Sequence, residues 1–212
     1  MIDPARSSSA SRPLRGWRRR RIRCILARVT AAASEPYVAL LRGINVGGKR
    51  PLPMKELAAL FAACGGREVS TYLQSGNVIF RAGPREAARI PEAVAAAIRE
   101  RFGLAVPLLL RSAGELGQVA RGNPFLREGA APETLHVAFL AERPAAKLVA
   151  ALDPDRSPGD RFAVLGREVF LHCPNGFART KLTNAWIDSR LATVSTVRNW
   201  RTVQKLLELA SG

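Results

Sequence analysis

Residues 43–49, Gly-Ile-Asn-Val-Gly-Gly-Lys, match the spacing G-x-x-x-x-G-K directly after an apolar run, the pattern with which a loop wraps phosphate. A nucleotide-hydrolysing loop needs Ser or Thr next, to hold magnesium, and a helix that begins at once so that its N–H groups converge on the anion. Arg50 stands in the hydroxyl position, and Pro51 and Pro53 delay the helix and remove donors. The sequence therefore predicts no magnesium-dependent NTPase. It predicts a weaker function, an anion-binding turn in which Arg42, Asn45, Gly47, Gly48 and Lys49 supply charge and donors. The competing reading is a tight strand-to-helix crossover whose glycines serve positive φ.

Three further polar stretches stand out: Gln74-Ser75-Gly76-Asn77, residues 174–184 with Arg179, Lys181 and Asn184, and Arg198-Asn199-Trp200. Asn, Ser and Gln in turns often bond only to their own backbone, so these stretches are candidates for ligand binding or for self-capping. Other chemistry is scarce. Three cysteines (Cys24, Cys64, Cys173) and two histidines (His136, His172) form no C-x-x-C, no metal-ligand spacing and no nucleophile–base pair. Glu56 and Asp188 read as helix-surface acids. No cofactor motif is present, and no apolar run reaches the roughly 18–20 residues that span a bilayer.

The charge is large but ambiguous. Of 212 residues 28 are Arg and 5 Lys, and the formal net charge is +16. Such a surface favours phosphate-rich partners, but an Arg- and Ala-heavy, Lys-poor chain is also what GC-rich codon usage writes. Residues 1–36 hold nine Arg against Asp3 and Glu35 with no sustained hydrophobic period, and are expected to be a disordered extension. The apolar stretch that a secretory signal would need is broken by Arg23 and Arg28. The expected location is the cytoplasm, and the sequence does not indicate an oligomeric state.

Regular elements must position the polar stretches. Residues 37–44 read as a buried strand and 54–65 as a helix stopped by Gly65-Gly66. Residues 68–73 and 77–83 read as a hairpin across 74–76, 84–103 as a helix and 105–112 as a strand. The order β-α-β-β-α-β is the ferredoxin-like unit. It recurs after a linking helix at 113–120: a strand at 134–141, a helix at 144–153, a hairpin at 161–174, a helix at 180–192 and a strand at 194–199. A closing helix covers 202–210. The expected fold is α+β, a tandem pair of ferredoxin-like subdomains (37–112, and 113–212 with the linking helix). In such a unit the end of the first strand and the middle hairpin turn share one end of the sheet, which puts residues 42–49 beside 74–77. The same logic puts 174–184 beside 198–200.

YVALLRGINVGGKRPLPMKEL, TYLQSGNVIF, Asn123-Pro124-Phe125, GREVFLHCPNGFARTKLTNAW and STVRNWRTVQKLLEL occur in that order. Together they resemble the bacterial family catalogued as domain of unknown function 1697, over residues 36–210. The resemblance implies a pair of ferredoxin-like subdomains and no assigned activity.

The functional expectation is binding of an anionic, phosphate-bearing ligand, a nucleotide or nucleic acid, through Arg42, Asn45, Gly47, Gly48, Lys49, Gln74, Ser75, Asn77, Arg179, Lys181, Asn184, Arg198 and Asn199. The alternatives are an enzyme acting on a small phosphorylated or carboxylated substrate, and a non-catalytic interaction module. An exposed basic cleft between the subdomains would favour the first two. Separate, internally bonded clusters would favour the last.

Overall fold

Alternation of buried side chains along the strands decides which layer each residue enters. In the computed structural model, which describes residues 34–47 and 51–212, the first strand β1 (Glu35–Leu41) sends Tyr37, Ala39 and Leu41 to one side and Val38 and Leu40 to the other. The expectations for residues 1–33 and for Gly48, Lys49 and Arg50 lie outside the described residues. Glu35 and Pro36 belong to β1, not to the extension, and the Ser34 carbonyl already accepts from Arg81 at 2.9 Å.

The first half continues with α1 (Met54–Ala63), β2 (Arg67–Tyr72), β3 (Asn77–Ala82), α2 (Pro84–Ala87), α3 (Ile90–Phe102) and β4 (Leu108–Ser112). Its antiparallel sheet has the order β2-β3-β1-β4. The single helix expected over 84–103 is two, because Pro91 cannot bond back to the preceding turn and so sits at the start of α3. Pro107, which has no N–H, shortens the strand expected from residue 105.

The second half opens with α4 (Ala113–Gly122) and the short α5 (Pro124–Arg127). It runs on through β5 (Leu135–Leu140), α6 (Ala146–Ala150), β6 (Arg161–Leu165), β7 (Glu168–His172), α7 (Asn184–Leu191), β8 (Ser195–Asn199) and α8 (Trp200–Ser211). The second antiparallel sheet has the order β6-β7-β5-β8. Helix α7 starts later than expected because Thr183 caps it, its hydroxyl accepting the Trp186 N–H at 3.3 Å.

Both last strands pass straight into a capped helix. The Ser112 hydroxyl accepts the Glu115 N–H at 3.1 Å, and the Asn199 side-chain oxygen Oδ1 accepts the Thr202 N–H at 2.8 Å. Three apolar layers result. Phe61, Phe80, Val94 and Ile98 cover the outer face of the first sheet, and Leu171, Trp186 and Ile187 that of the second. Between the sheets, Val38, Leu40, Ile79 and Leu109 share one core with Val137, Phe139 and Phe170 and with Leu116, Trp200, Val203 and Leu206 of α4 and α8. Trp200 is a buried anchor of this central core.

Candidate functional site

The 43–47 turn and the 74–77 turn are tied together by one side chain. Asn45 sits at φ +55. Its amide donates to the Leu52 and Gln74 carbonyls at 3.0 and 2.9 Å, and its oxygen accepts the Leu52 N–H at 2.7 Å. Gly76 completes the contact at φ +78: a Cβ there would lie 2.7 Å from Leu41 Cβ and 2.8 Å from Ile44 Cδ1, so no larger residue fits. The juxtaposition expected from strand order is therefore present.

The end of β1 is also where the two halves meet. Arg198, on β8, turns across the seam to the first half. Its Nε donates to Asn77 Oδ1 at 2.6 Å, its Nη2 to the Leu41, Ser75 and Gly76 carbonyls at 2.8, 3.2 and 3.4 Å, and its Nη1 to Thr196 Oγ1 and the Val197 carbonyl at 2.8 and 2.9 Å. All six acceptors are neutral. Burial pulls the guanidinium down to about 10.

Arg111, on β4, does the same in the opposite direction. Its Nε donates to Glu168 Oε1 at 2.8 Å, its Nη2 to the Leu140 and Arg167 carbonyls at 2.7 and 3.0 Å, and its Nη1 to the Leu110 carbonyl at 2.9 Å. The correspondence extends to the backbone: Leu41 N donates to the Gly76 carbonyl and Leu140 N to the Arg167 carbonyl, each at 2.8 Å. The halves thus clasp each other with corresponding arginines, Nε on a side chain of the other half, Nη2 on its carbonyls and Nη1 on the preceding residue's carbonyl. Arg198 makes two further bonds, to Ser75 and Thr196, and the seams differ in charge. Where Arg111 meets the carboxylate of Glu168, Arg198 meets the neutral amide of Asn77.

Arg42 lies beside this seam, paired with Asp188, their side chains 26% and 23% exposed. Asp188 also accepts from the Ser195 N–H and hydroxyl at 2.8 and 2.6 Å, and Asn184 Oδ1 accepts from the same hydroxyl at 3.2 Å. Asp188 is thus a half-buried pairing residue, not the surface acid expected.

Arg42, Asn45, Gly47, Gln74, Ser75, Asn77, Asn184 and Arg198 consequently gather at one end of the first sheet. Asn184 and Arg198 are expected in a separate group around 174–184; instead the Arg198 side chain reaches into the first half, and Asn184 joins the group through Ser195, which also bonds to Asp188. Asn199 is committed to capping α8. Arg179 and Lys181 are exposed on the connection from β7 to α7, and neither side chain bonds to the gathered group among the described residues. The Ser75 hydroxyl accepts from the Asn77 amide at 3.2 Å, and that amide also donates to the Tyr72 carbonyl at 2.8 Å. Exposed Gln74 offers its side chain to solvent.

Other candidate chemistry is absent or blocked among the described residues. No group of three or more His, Cys, Asp or Glu is placed to hold a metal ion. Cys173 is buried, and its thiol is pushed up to about 11, chiefly by desolvation and also by Asp160. His136 stacks on Phe177 with ring centres 4.5 Å apart. Among the described residues no helix is long and apolar enough to cross a membrane. Arg111, Glu168, Arg167 and Glu115 were not anticipated as a group, and a shared signal marks the two clasps: Arg followed by a capping residue, at the end of a strand that runs into a helix.

A family model described as "Protein of unknown function (DUF1697)" matches residues 35–170. A conserved bacterial protein, SP0830, from Streptococcus pneumoniae has a similar solved structure, with a TM-score of 0.65 at 20% identity, covering 84% of this chain and 99% of that one. That likeness concerns the fold alone. No curated protein matches the chain.

Proposed function

We propose, for a chain that belongs to the DUF1697 family of proteins of unknown function, that it binds a phosphate-bearing anion at the seam where the 43–47 and 74–77 turns meet. The observation that carries the reading is the unneutralised charge of Arg198. A buried guanidinium bonded only to neutral groups leaves its field uncompensated, and the equivalent seam places a carboxylate at that point. Arg42 and Asp188 balance each other, so the seam keeps a net positive charge. In this reading Arg198 is a fixed source of field behind the site and does not touch the ligand. Arg42, part-exposed, and the Gln74 side chain are the groups that meet the anion. Asn45, Ser75 and Asn77 hold the turns in place. Arg179, Lys181 and Asn199 have no part in this site. The scaffold is read as two ferredoxin-like halves, a reading supported by the matching element order and strand order of the two sheets.

The test is a thermal-shift panel of nucleotides, sugar phosphates and inorganic pyrophosphate, since a ligand that binds the native state raises its melting temperature. A rise that is lost in Arg42→Ala supports the site. A flat panel contradicts it. The dense internal bonding of the cluster favours a second reading, a non-catalytic interaction module, and a flat panel would favour that reading instead.

A further inference from the structure

The seam closed by Arg111 carries its own cleft, of about 470 Å³, between α4 and the β6–β7 turn. That volume lies within the range of small-molecule sites. Its lining is apolar at buried Val119 and Phe170 and at exposed Leu165, and polar at Gln118, Arg143 and Arg167. Leu165 is 49% exposed, a large aliphatic side chain left open to water at the mouth.

The carboxylates of the cleft are already engaged. Glu115 accepts the Ser112 N–H at 2.8 Å and an Arg167 N–H at 2.5 Å, and Glu168 accepts from Arg111. Among the described residues the Arg167 guanidinium bonds only through Nη2, to Glu115, which leaves its other N–H groups unspent there. Arg143 is exposed and makes no ion pair among the described residues. Arg111 behind the cleft and Arg143 and Arg167 on its lining make three arginines against two glutamates (Glu115, Glu168), so one positive charge remains. A phosphate dianion would exceed that charge and meet both carboxylates, whereas a single carboxylate balances it. Apolar lining beside one unspent cation suits a molecule that is apolar along its body and singly charged at one end.

We propose that this cleft binds a small monocarboxylic acid, its head on Arg143 and Arg167 and its apolar body over Val119, Leu165 and Phe170. The inference shares no residue with the phosphate site at the other seam and stands or falls separately from it.

The experiment titrates 4-phenylbutyrate into the full chain by calorimetry, with 4-phenylbutanol as the uncharged control. The acid should bind at least roughly tenfold more tightly than the alcohol, the effect of one charge-assisted contact. Arg143→Ala should weaken the acid by a similar factor. Gly122→Trp should abolish binding, since Gly122 lines the cleft and a Cβ there meets nothing within 4 Å, which leaves room for an indole to take up ligand space. Arg42→Ala should leave the titration unchanged. Absence of binding, equal binding of the alcohol, an unaffected Arg143→Ala or Gly122→Trp, or a loss caused by Arg42→Ala would each overturn the proposal.

Discussion

Replacing Arg111 by Met should destabilise the protein more than replacing Arg198 by Met, although the two side chains make corresponding contacts. Both replacements keep an aliphatic stem in the central core and leave backbone carbonyls short of a donor. They differ in what is stranded. Arg111→Met leaves Glu168, only 14% exposed, without its cation, and breaking a buried pair from one side costs about 3–5 kcal/mol. Arg198→Met strands six acceptors, all neutral, but also removes a desolvated, unpaired charge; the relief of that charge offsets much of the bond loss, so the net cost should be about 2–3 kcal/mol. At about 2–4 °C per kcal/mol for a domain of this size, Arg111→Met should lower the melting temperature by roughly 10 °C and Arg198→Met by clearly less. A second variant isolates the ion. Arg111→Met combined with Glu168→Leu should recover much of the loss, because a buried pair replaced by apolar residues is often close to neutral. Urea denaturation with unchanged m-values is the assay. If Arg198→Met costs as much as Arg111→Met, or if the double variant is no more stable than Arg111→Met alone, the charge asymmetry between the seams is not what the energetics obey.

Asn45→Ala should lose about 1–2 kcal/mol, since three bonds and a positive-φ position are affected, and pyrophosphate affinity should fall with it; calorimetry and denaturation on the same sample report both. Burial holds the His136 imidazole below its usual range despite a backbone bond near Thr134. Its folded pKa is thus below the unfolded value, so its contribution is intact above about pH 6.5 and is lost as the pH falls through that value towards the folded pKa. His136→Phe should flatten this part of the stability profile. Cys173, with its thiol pushed up to about 11, should resist iodoacetamide at pH 8 in the native protein and react on unfolding, as peptide mapping by mass spectrometry would read.

The sequence carries its local instructions plainly and its long-range pairings hardly at all. The hairpin across residues 74–76, the stop at Gly103 and the closing helix follow from turn chemistry and apolar spacing over a few residues. So does the approach of the two turns, because strand order dictates which loops share a sheet end. The clasps do not follow. Arg111 and Glu168 lie 57 residues apart, Arg198 and Asn77 121, and nothing in the local pattern says which strand end an arginine will reach. Arg198 looks like a binding residue because it stands in the polar stretch Arg198-Asn199-Trp200 at a strand end. In the fold that position marks a guanidinium spent on sealing the other half. Asp188 looks like a surface acid because half its helix faces solvent, yet Arg42 and Ser195 reach it from outside the helix. The repeated pair Arg111-Ser112 and Arg198-Asn199, each ending a strand and opening a helix, was the one visible trace of the duplicated clasp.

The central claim is that the seam beside Arg42 is a binding site for a phosphate-bearing anion. Two variants of one ion pair, titrated with inorganic pyrophosphate, test it most directly. Arg42→Ala removes a charged donor and should weaken binding roughly tenfold or more. Asp188→Asn removes the carboxylate that competes for Arg42 and should tighten binding several-fold, with Ser195 still able to bond to the amide oxygen. Opposite changes in affinity, with the fold retained in both variants, are the predicted result. No binding to the wild type, or unchanged affinity in both variants alongside a stability loss of several kcal/mol, of the size expected when a buried pair is broken, would contradict it.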